Sequence, residues 1–401
     1  MEILLPTPPG SDRLFTPRFF MMCGFTFTVF LSAFQLFPTA PLRIIDLGGT
    51  EFTAGLFLGF LTYSSAFSAP FTGGLADRLG KRRMLIVCSS VLTLFSIAYG
   101  ISPSYEIPLV LVVFHGIFWS GLLSASSAYM TDIIPPRRRA EGIGYWGLSS
   151  VAAIAVAPSL GIWIYHFGWG WLCASISGLN VLMAGIAVTI RKEETPPHSM
   201  HPFRMGTIVE WRVLALAMTL FLYSFGYGGI TSFSALFAMS RGIAPSSLYL
   251  TVLAVVILLT RPFSGRLADR ISPRRVFLPC LALIALGLGM LSYSDTMPMF
   301  VLSAIVFGAG YGTAYPVFVA SVFMHVSQER RGAAFGSILA AFDTGIGSGS
   351  VLTGLLVEQF GFSTAFGAAA ALAALSIPYY LYIEKRVLRE SQPPSDPLPA
   401  G

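Results

Sequence analysis

Long apolar stretches with almost no charge set the strictest limit on how this chain of 401 residues can fold. A helix needs about 20 apolar residues to cross the hydrocarbon core of a bilayer. Only 11% of the residues are charged, well below the roughly 25% of soluble domains. The chain is therefore predicted to be an all-α integral membrane protein. Its twelve predicted transmembrane helices lie at about 17–38, 52–72, 84–102, 107–131, 142–164, 169–190, 212–238, 247–265, 276–294, 298–324, 332–357 and 362–383.

Basic residues are distributed very unevenly between the segments that join these spans. With the N-terminus placed in the cytoplasm, 22 of the 25 lysines and arginines fall in cytoplasmic segments, and Arg43 and Arg241 fall in outer loops. Such an excess marks the cytoplasmic side of a membrane protein. We therefore expect both termini in the cytoplasm and the protein in the bacterial cytoplasmic (inner) membrane. The net charge of +6 then reflects topology, and no nucleic-acid partner is expected.

A charged segment occurs twice in the chain. Residues 68–83 and 260–275 are related by an offset of 192, and nine of the sixteen aligned positions are identical. One further residue of offset relates the Phe-Gly pair at 167–168 to the pair at 360–361. Two halves of the same topology, related by an axis along the membrane normal, are a known transporter architecture. We predict two pseudo-symmetric six-helix bundles at 1–190 and 212–384, a cytoplasmic linker at 191–211 and a cytoplasmic tail at 385–401.

The repeated segment also carries a family resemblance. "GGLADRLGKRR" at 73–83 resembles the signature cytoplasmic loop between the second and third helices of the major facilitator superfamily. The second copy, "GRLADRISPRR" at 265–275, follows the same pattern and departs from it at Ser272 and Pro273. With the twelve spans and the internal repeat, the resemblance covers nearly the whole chain. It implies a secondary active transporter whose two halves rock to give alternating access.

The resemblance implies that this loop latches the two halves together in the outward-facing state. Gly73 and Gly265 are expected to allow close helix approach, because small residues let membrane helices come together. The alternative is simple anchoring of the basic cluster at lipid headgroups. The predicted latch comprises Gly73, Asp77, Arg78, Arg82, Gly265, Asp269, Arg270, Arg138, Arg139, Arg330 and Arg331, with Asp77 paired to Arg330 and Arg331, and Asp269 paired to Arg138 and Arg139.

Ionisable groups inside the spans are few, and such groups are costly and mark functional sites. Asp343 lies about a third of the way into span 11 and is the first candidate for proton or cation coupling. His115 in span 4 is the second candidate, because imidazole titrates near neutral pH. Each has a structural alternative. Asp343 would be a carboxylate bonded to a neighbouring helix or to Arg261, and His115 would be packed in the protein interior.

Aromatic side chains recur on helices 1, 4, 7 and 10, which the resemblance implies line a central cavity. Spacings of three and four residues put each set on one helix face. Such a cavity suits apolar or aromatic substrates, oriented by tyrosine hydroxyls and by the amide of Gln35. Interior packing or lipid contact is the alternative for each ring. The predicted cavity residues are Phe34, Gln35, Trp119, Tyr223, Tyr227, Tyr311 and Tyr315.

Two weaker resemblances to proton-coupled exporters concern helices 4 and 5. "GLSSVAAIAVAPSLG" at 147–161 is similar to a stretch that ends Gly-Pro-x-x-Gly, with Ala157 in place of its first glycine. In helix 4, Val112 stands where many proton antiporters carry an arginine, which departs from the usual proton relay. We predict proton-coupled export of a small hydrophobic or amphipathic compound. The alternatives are symport of a sugar or organic acid, a non-transporting receptor, and a lipid flippase.

Motifs of catalytic chemistry are missing from the sequence: it has no nucleotide-binding loop, metal-ligand cluster or nucleophile motif. The four cysteines lie inside apolar stretches and have neither metal-site nor disulfide spacing. We therefore expect a protein that is not an enzyme and needs no cofactor or metal. Its expected partners are a small-molecule substrate, protons and membrane lipid, and we expect it to act as a monomer.

Overall fold

The computed structural model describes residues 13–135, 138–190, 211–326 and 331–389. The regular structure in these ranges is helical, without a β-strand, which confirms the all-α class. Ten of the described helices are long and apolar enough to cross a membrane. The helices are α1 (Pro17–Asp46), α2 (Glu51–Leu79), α3 (Lys81–Ile101), α4 (Glu106–Ile133), α5 (Arg139–Tyr165), α6 (Trp169–Thr189), α7 (Trp211–Ser240), α8 (Leu248–Ile271), α9 (Pro273–Ser292), α10 (Met297–His325) and α11 (Arg331–Arg389).

The last helix contains two of the twelve predicted spans. α11 is interrupted at Gly361, whose φ of 80° and ψ of 170° are not helical. This region of backbone space is nearly confined to glycine. The segments before and after Gly361 correspond to the spans predicted at 332–357 and 362–383. Helix α8 is the shortest apolar span, because its apolar part is confined to Leu248–Arg261.

Several helices run past the ends that hydropathy predicts. α1 continues to Asp46 instead of ending near residue 38, and α2 continues to Leu79 instead of ending near residue 72. The prediction ended α1 at Pro38, but proline is tolerated in membrane helices where neighbours satisfy the freed backbone groups. It ended α2 at the first charges, but long charged side chains reach water from a backbone that stays helical.

The internal repeat is visible in the backbone. Gly80, before α3, has φ 87° and ψ 136°, and Ser272, before α9, has φ 130° and ψ 143°. These two positions are separated by the offset of 192 residues. Gly168, before α6, has φ 118° and ψ 153° and corresponds to Gly361 of α11. The same left-handed corner therefore recurs at matching positions in the two halves of the sequence.

Packing divides the described chain into two compact units. Unit 1 takes in the described residues up to Thr39 and those from Ser68 to the end of α6. Unit 2 takes in Ala40–Phe67 and the described residues from α7 onward. Unit 2 thus includes a stretch that the sequence assigns to the N-terminal bundle. The predicted domain boundaries stay a prediction, since 191–210 and 390–401 lie outside the described residues.

A buried polar chain crosses unit 1, where α3 packs against α4 and α6. Ser32 Oγ donates a hydrogen bond to Asn180 Oδ1 at 2.8 Å, and Asn180 Nδ2 donates to Ser96 Oγ at 2.8 Å. Ser96 in turn donates to the carbonyl oxygen of Leu92 at 2.8 Å. Polar groups within a membrane need internal partners. The chain of bonds therefore ties α1, α3 and α6 together.

Glycines determine how α11 packs in unit 2. A Cβ built on Gly228 of α7 would clash with the carbonyl oxygen of Ile346, and one on Gly349 would clash with that of Phe225. On another side, a Cβ on Gly55 of α2 would lie 2.5 Å from the carbonyl oxygen of Ser350. Small residues let membrane helices approach closely. The first segment of α11 is therefore in backbone contact with α7 and with the first half of α2.

Candidate functional site

An aromatic cluster lies inside unit 2, where α7, α10 and α11 meet. Tyr227 of α7 stacks on Tyr311 of α10 with ring centroids 4.4 Å apart, and Tyr223 meets Tyr311 edge-on at 5.8 Å. Phe342 of α11 lies 4.9 Å from Tyr315 and 6.2 Å from Tyr311, centroid to centroid. The structure thus brings the four predicted cavity tyrosines together and adds Phe342 to them.

Helix spacing and small residues place these rings. Spacings of four residues put the tyrosines of α7, and likewise those of α10, on one helix face. A Cβ built on Gly312 would lie 2.6 Å from Thr260 Oγ1 on α8, and one on Gly310 would lie 2.5 Å from the carbonyl oxygen of Cys280 on α9. α10 therefore lies against both neighbours, and its aromatic face is next to Arg261 at the end of the apolar part of α8.

Asp343, the first candidate for coupling, directly follows Phe342 in α11. Its helix is fixed to α7 at this point, because Ser224 Oγ donates a hydrogen bond to the carbonyl oxygen of Phe342 at 3.0 Å. Asp343 and Arg261 both interact electrostatically with Tyr315. An ionised carboxylate is costly in an apolar interior. The arrangement therefore gives Asp343 the chemistry of a proton-binding group beside a cation.

Two hydroxyls of this cluster are buried without a hydrogen-bond partner among the described residues, those of Tyr223 and Tyr311. Their side chains are 0% and 8% exposed. Buried tyrosine hydroxyls usually find a partner. These two hydroxyls are therefore groups that a bound molecule is able to satisfy.

The predicted aromatic residues of unit 1 form a second cluster on α1 and α4. Phe34 lies 6.0 Å from Phe30 and 5.0 Å from Phe37, centroid to centroid. Phe30 and Phe37 both meet Trp119 edge-on, at 5.8 and 6.3 Å. Phe34 and Trp119 are thus joined through rings that the predicted cavity set did not include.

Gln35, predicted to orient substrate, is fully buried and already hydrogen-bonded in unit 1. Its Nε2 donates to the carbonyl oxygen of Leu31 at 3.1 Å, and Ser175 Oγ of α6 donates to its Oε1 at 3.4 Å. Gly161 of α5 lies against the same residue, since a Cβ there would lie 2.8 Å from the Gln35 Cα. The amide therefore links α1 to α6 in this structure.

His115 lies between two rings of α3 and is 4% exposed. Its ring is nearly parallel to those of Phe95 and Tyr99, with centroids 6.0 and 5.9 Å away. Its Nδ1 lies 3.1 Å from the Tyr99 hydroxyl. Trp169 Nε1 donates to the Tyr99 carbonyl oxygen at 2.7 Å and fixes this side of the stack. These contacts match the packing alternative for His115 more closely than a proton relay.

The predicted latch in the first repeat makes its visible contacts inside unit 1. Arg82 Nη2 donates to the carbonyl oxygen of Val188 near the end of α6, at 2.6 Å. Lys81, next to it, forms an ion pair with Asp132 near the end of α4. Arg78 is exposed. The start of α3 is thus fastened to two other helices of its own unit.

Other latch residues are described only in part. Arg138 pairs with Glu141 at 2.7 Å, and its guanidinium lies 5.8 Å from the ring centroid of Phe15. The close helix approach expected at Gly73 is contradicted, because a Cβ built there would meet nothing within 4 Å. The close approaches of α2 lie deeper in the helix, at Gly55 and beyond. The side chains of Asp77, Arg139, Asp269, Arg270 and Arg331, with Gly265 and Arg330, lie outside the described residues.

Metal chemistry finds no support in the described ranges, where no group of three His, Cys, Asp or Glu side chains could hold an ion. The four cysteines are free thiols. Sequence reasoning missed Phe342 and Asn180. Both carried a usable signal, since Phe342 adjoins the candidate acid and Asn180 is a lone amide in an uncharged span.

Relatives of this chain are recognisable across almost its whole length. The model of the Major Facilitator Superfamily matches residues 21–260 and 216–400. The uncharacterized MFS-type transporter YhhS of Escherichia coli (strain K12) is 24% identical over 372 residues, covering 90% of this chain and 91% of that protein.

Solved structures share the fold. A bacterial homolog of the human lysosomal transporter Spinster has a TM-score of 0.77 at 18% identity, covering 94% of this chain and 98% of that one. The nucleoside transporter NupG has a TM-score of 0.73 at 16% identity, covering 92% and 100%. The family model, the helical fold and the internal repeat agree, and the chain belongs to the Major Facilitator Superfamily as a multi-pass membrane transporter that is not an enzyme.

Proposed function

We propose that this transporter couples proton movement to the export of a small hydrophobic or amphipathic compound, by alternating access of its two halves. The observation that carries the proposal is the position of Asp343 in α11, beside the tyrosine cluster of α7 and α10. A membrane-embedded acid defaults to a functional role. A transporter without nucleotide-binding motifs needs an ion gradient to move its substrate uphill.

The aromatic surroundings of Asp343 support a proton as the coupling ion. Hydroxyls and rings offer few of the oxygen ligands that a metal cation requires. A proton needs only the carboxylate itself, and neutralising that carboxylate removes the cost of a charge in an apolar environment. Asp343 is therefore the proposed coupling residue. His115 ranks second, because its stacking against α3 favours packing.

The proposed direction rests on α5. Gly161 closes its exporter-like stretch, and this glycine is required in the structure because the backbone of Gln35 lies against it. Pro158 lies inside the same helix, where a proline bends the helix axis. Symport of a sugar or organic acid is the alternative direction, and it uses the same Asp343. A receptor and a lipid flippase remain the non-transporting and lipid alternatives.

The proposal extends to placement and gating. We place the protein as a monomer in the bacterial cytoplasmic membrane with both termini in the cytoplasm, on the strength of the basic residues. We propose that Asp77 pairs with Arg330 and Arg331, and Asp269 with Arg138 and Arg139, when the transporter faces outward. The Arg138–Glu141 pair would have to open or share the guanidinium in that state.

The test is substrate-driven proton movement in proteoliposomes of known orientation. A panel of cationic, neutral and anionic compounds is applied with a pH-sensitive dye inside the vesicles. Export predicts proton movement opposite to the compound, and symport predicts movement in the same direction. Asp343→Asn abolishes the response, whereas Asp295→Asn leaves it intact, because Asp295 is an exposed loop acid that pairs with Arg241. A proton response that survives Asp343→Asn contradicts the proposal.

A further inference from the structure

The two tyrosine hydroxyls without partners define a possible ligand contact inside unit 2. Tyr223 and Tyr311 meet edge-on at 5.8 Å, so their side chains belong to one cluster. Neither hydroxyl has a hydrogen-bond partner among the described residues, and both are buried. A buried hydroxyl without a partner destabilises the fold that contains it. A site that keeps two such groups side by side has a use for them when occupied.

The surfaces around these hydroxyls are almost entirely aromatic. Tyr227 stacks on Tyr311, and Phe307 does so as well at 5.3 Å. Phe342 lies 6.4 Å from Tyr223 and 6.2 Å from Tyr311, centroid to centroid. Aromatic rings favour other rings in stacked or edge-on contact beyond the burial of apolar area. The cluster therefore favours a flat, aromatic ligand over an aliphatic one.

Charge argues for an uncharged ligand. The charged groups that interact electrostatically with Tyr315 of the cluster are Asp343 and Arg261, which carry opposite formal charges. A hydroxyl supplies a dipole and does not neutralise a full charge. Burying an ion that is not paired is strongly unfavourable. A cluster with one acid, one cation and two free hydroxyls therefore selects hydrogen-bonding capacity over net charge.

We propose that the Tyr223 and Tyr311 hydroxyls bind the hydrogen-bonding group of an uncharged aromatic substrate, whose ring rests against Tyr311 and Phe342. This deepens the proposed function and rests on it for the role of the ligand as substrate. Binding itself, however, needs neither a membrane nor a gradient. It can therefore be measured apart from transport.

The experiment measures binding of three soluble probes to the full chain purified in detergent, by the rise in its thermal unfolding midpoint. Benzamide carries the ring and an amide, cyclohexanecarboxamide carries the amide without the aromatic ring, and benzyltrimethylammonium carries the ring with a permanent cation. A ligand that binds only the folded state raises the midpoint. We expect the largest rise with benzamide.

Variants connect the signal to the two hydroxyls. Tyr223→Phe and Tyr311→Phe are each expected to weaken benzamide binding by roughly fivefold to tenfold, the loss of one hydrogen bond. Both variants are expected to fold at least as well as the parent, because each removes a buried hydroxyl without a partner. Tyr249→Phe is the matched control, since Tyr249 is fully buried in unit 2 and packs on Phe300 instead.

Several results would overturn the assignment. They are equal binding of cyclohexanecarboxamide, tighter binding of benzyltrimethylammonium, undiminished benzamide binding to the Tyr223→Phe/Tyr311→Phe double variant, and no binding by any probe. Proton-coupled flux of another compound, measured together with any of these, would leave the transport proposal standing while removing this one. Benzamide binding without any proton-coupled flux would do the reverse.

Discussion

The hydroxyl of Ser350 donates a hydrogen bond to the carbonyl oxygen of Gly55 at 2.8 Å, and so joins α11 to α2. Ser232 of α7 lies 2.7 Å from the same hydroxyl. Two residues away, Ser348 Oγ lies 2.7 Å from the hydroxyl of Tyr63. One short stretch of α11 is thus hydrogen-bonded to α2 and α7, and this stretch begins only a few residues after Asp343.

Side chains at the glycines of this contact are predicted to break it. Gly228→Ala places a Cβ against the carbonyl oxygen of Ile346, and backbone atoms cannot move aside as a side chain can. We expect a loss of about 3 kcal/mol, the upper part of the range for overpacking. Thermal unfolding in detergent measures it. Gly178→Ala in α6 is the control, because a Cβ there meets nothing within 4 Å. Equal midpoints for the two variants would show that the helices do not approach as described.

His115 is predicted to stabilise unit 1 without carrying the coupling proton. His115→Gln removes the stacking on Phe95 and Tyr99 and alters the bond to the Tyr99 hydroxyl. We expect a loss of about 1–3 kcal/mol in stability, as for a buried polar group that loses its partner, and an unchanged proton-to-substrate ratio. The ratio is measured from paired fluxes in proteoliposomes. A changed ratio in a well-folded variant would restore His115 as the coupling residue.

The repeated corner predicts opposite effects for a matched pair of substitutions. Ser272 has φ 130° and Gly80 has φ 87° at the equivalent position. A residue other than glycine in this region costs about 1–3 kcal/mol. Ser272→Gly is therefore expected to raise the thermal midpoint, and Gly80→Ser is expected to lower it. A change of the same sign in both variants would mean that the two corners do not share one conformation.

The Ser32–Asn180 hydrogen bond is predicted to be modest in energy despite its burial. Interhelical hydrogen bonds in membrane proteins average about 0.6 kcal/mol by double-mutant cycles. The cycle here uses Ser32→Ala, Asn180→Ala and the double variant, with chemical unfolding as the readout. We expect a coupling energy near that average. A coupling of zero would show that the two side chains do not meet.

Hydropathy and charge predicted the helical membrane fold because a bilayer demands long apolar helices. They misplaced helix ends such as Asp46 of α1, since helical backbone continues where hydropathy falls. The repeat of the charged segment predicted the Gly80 and Ser272 corner positions. It did not predict where α2 is tightly packed, because that depends on the partner helix, and Gly55 rather than Gly73 lies against one.

The candidate site was predictable in its members and not in its organisation. Spacing alone put Tyr223 and Tyr227 on one face, as it did Tyr311 and Tyr315. That Phe342 completes the cluster, and that His115 stacks on α3, follows from contacts between distant parts of the chain. A single sequence records residue types along a helix, and the neighbour across the interface is fixed only by packing.

The central claim is that Asp343 carries the coupling proton, and comparison of two transport modes in the Asp343→Asn variant tests it most directly. Counterflow exchanges substrate without net proton movement, whereas uphill transport driven by a pH gradient requires proton binding and release. The account predicts that the variant retains counterflow and loses gradient-driven accumulation. Accumulation that persists in the variant at the parent's level would contradict it.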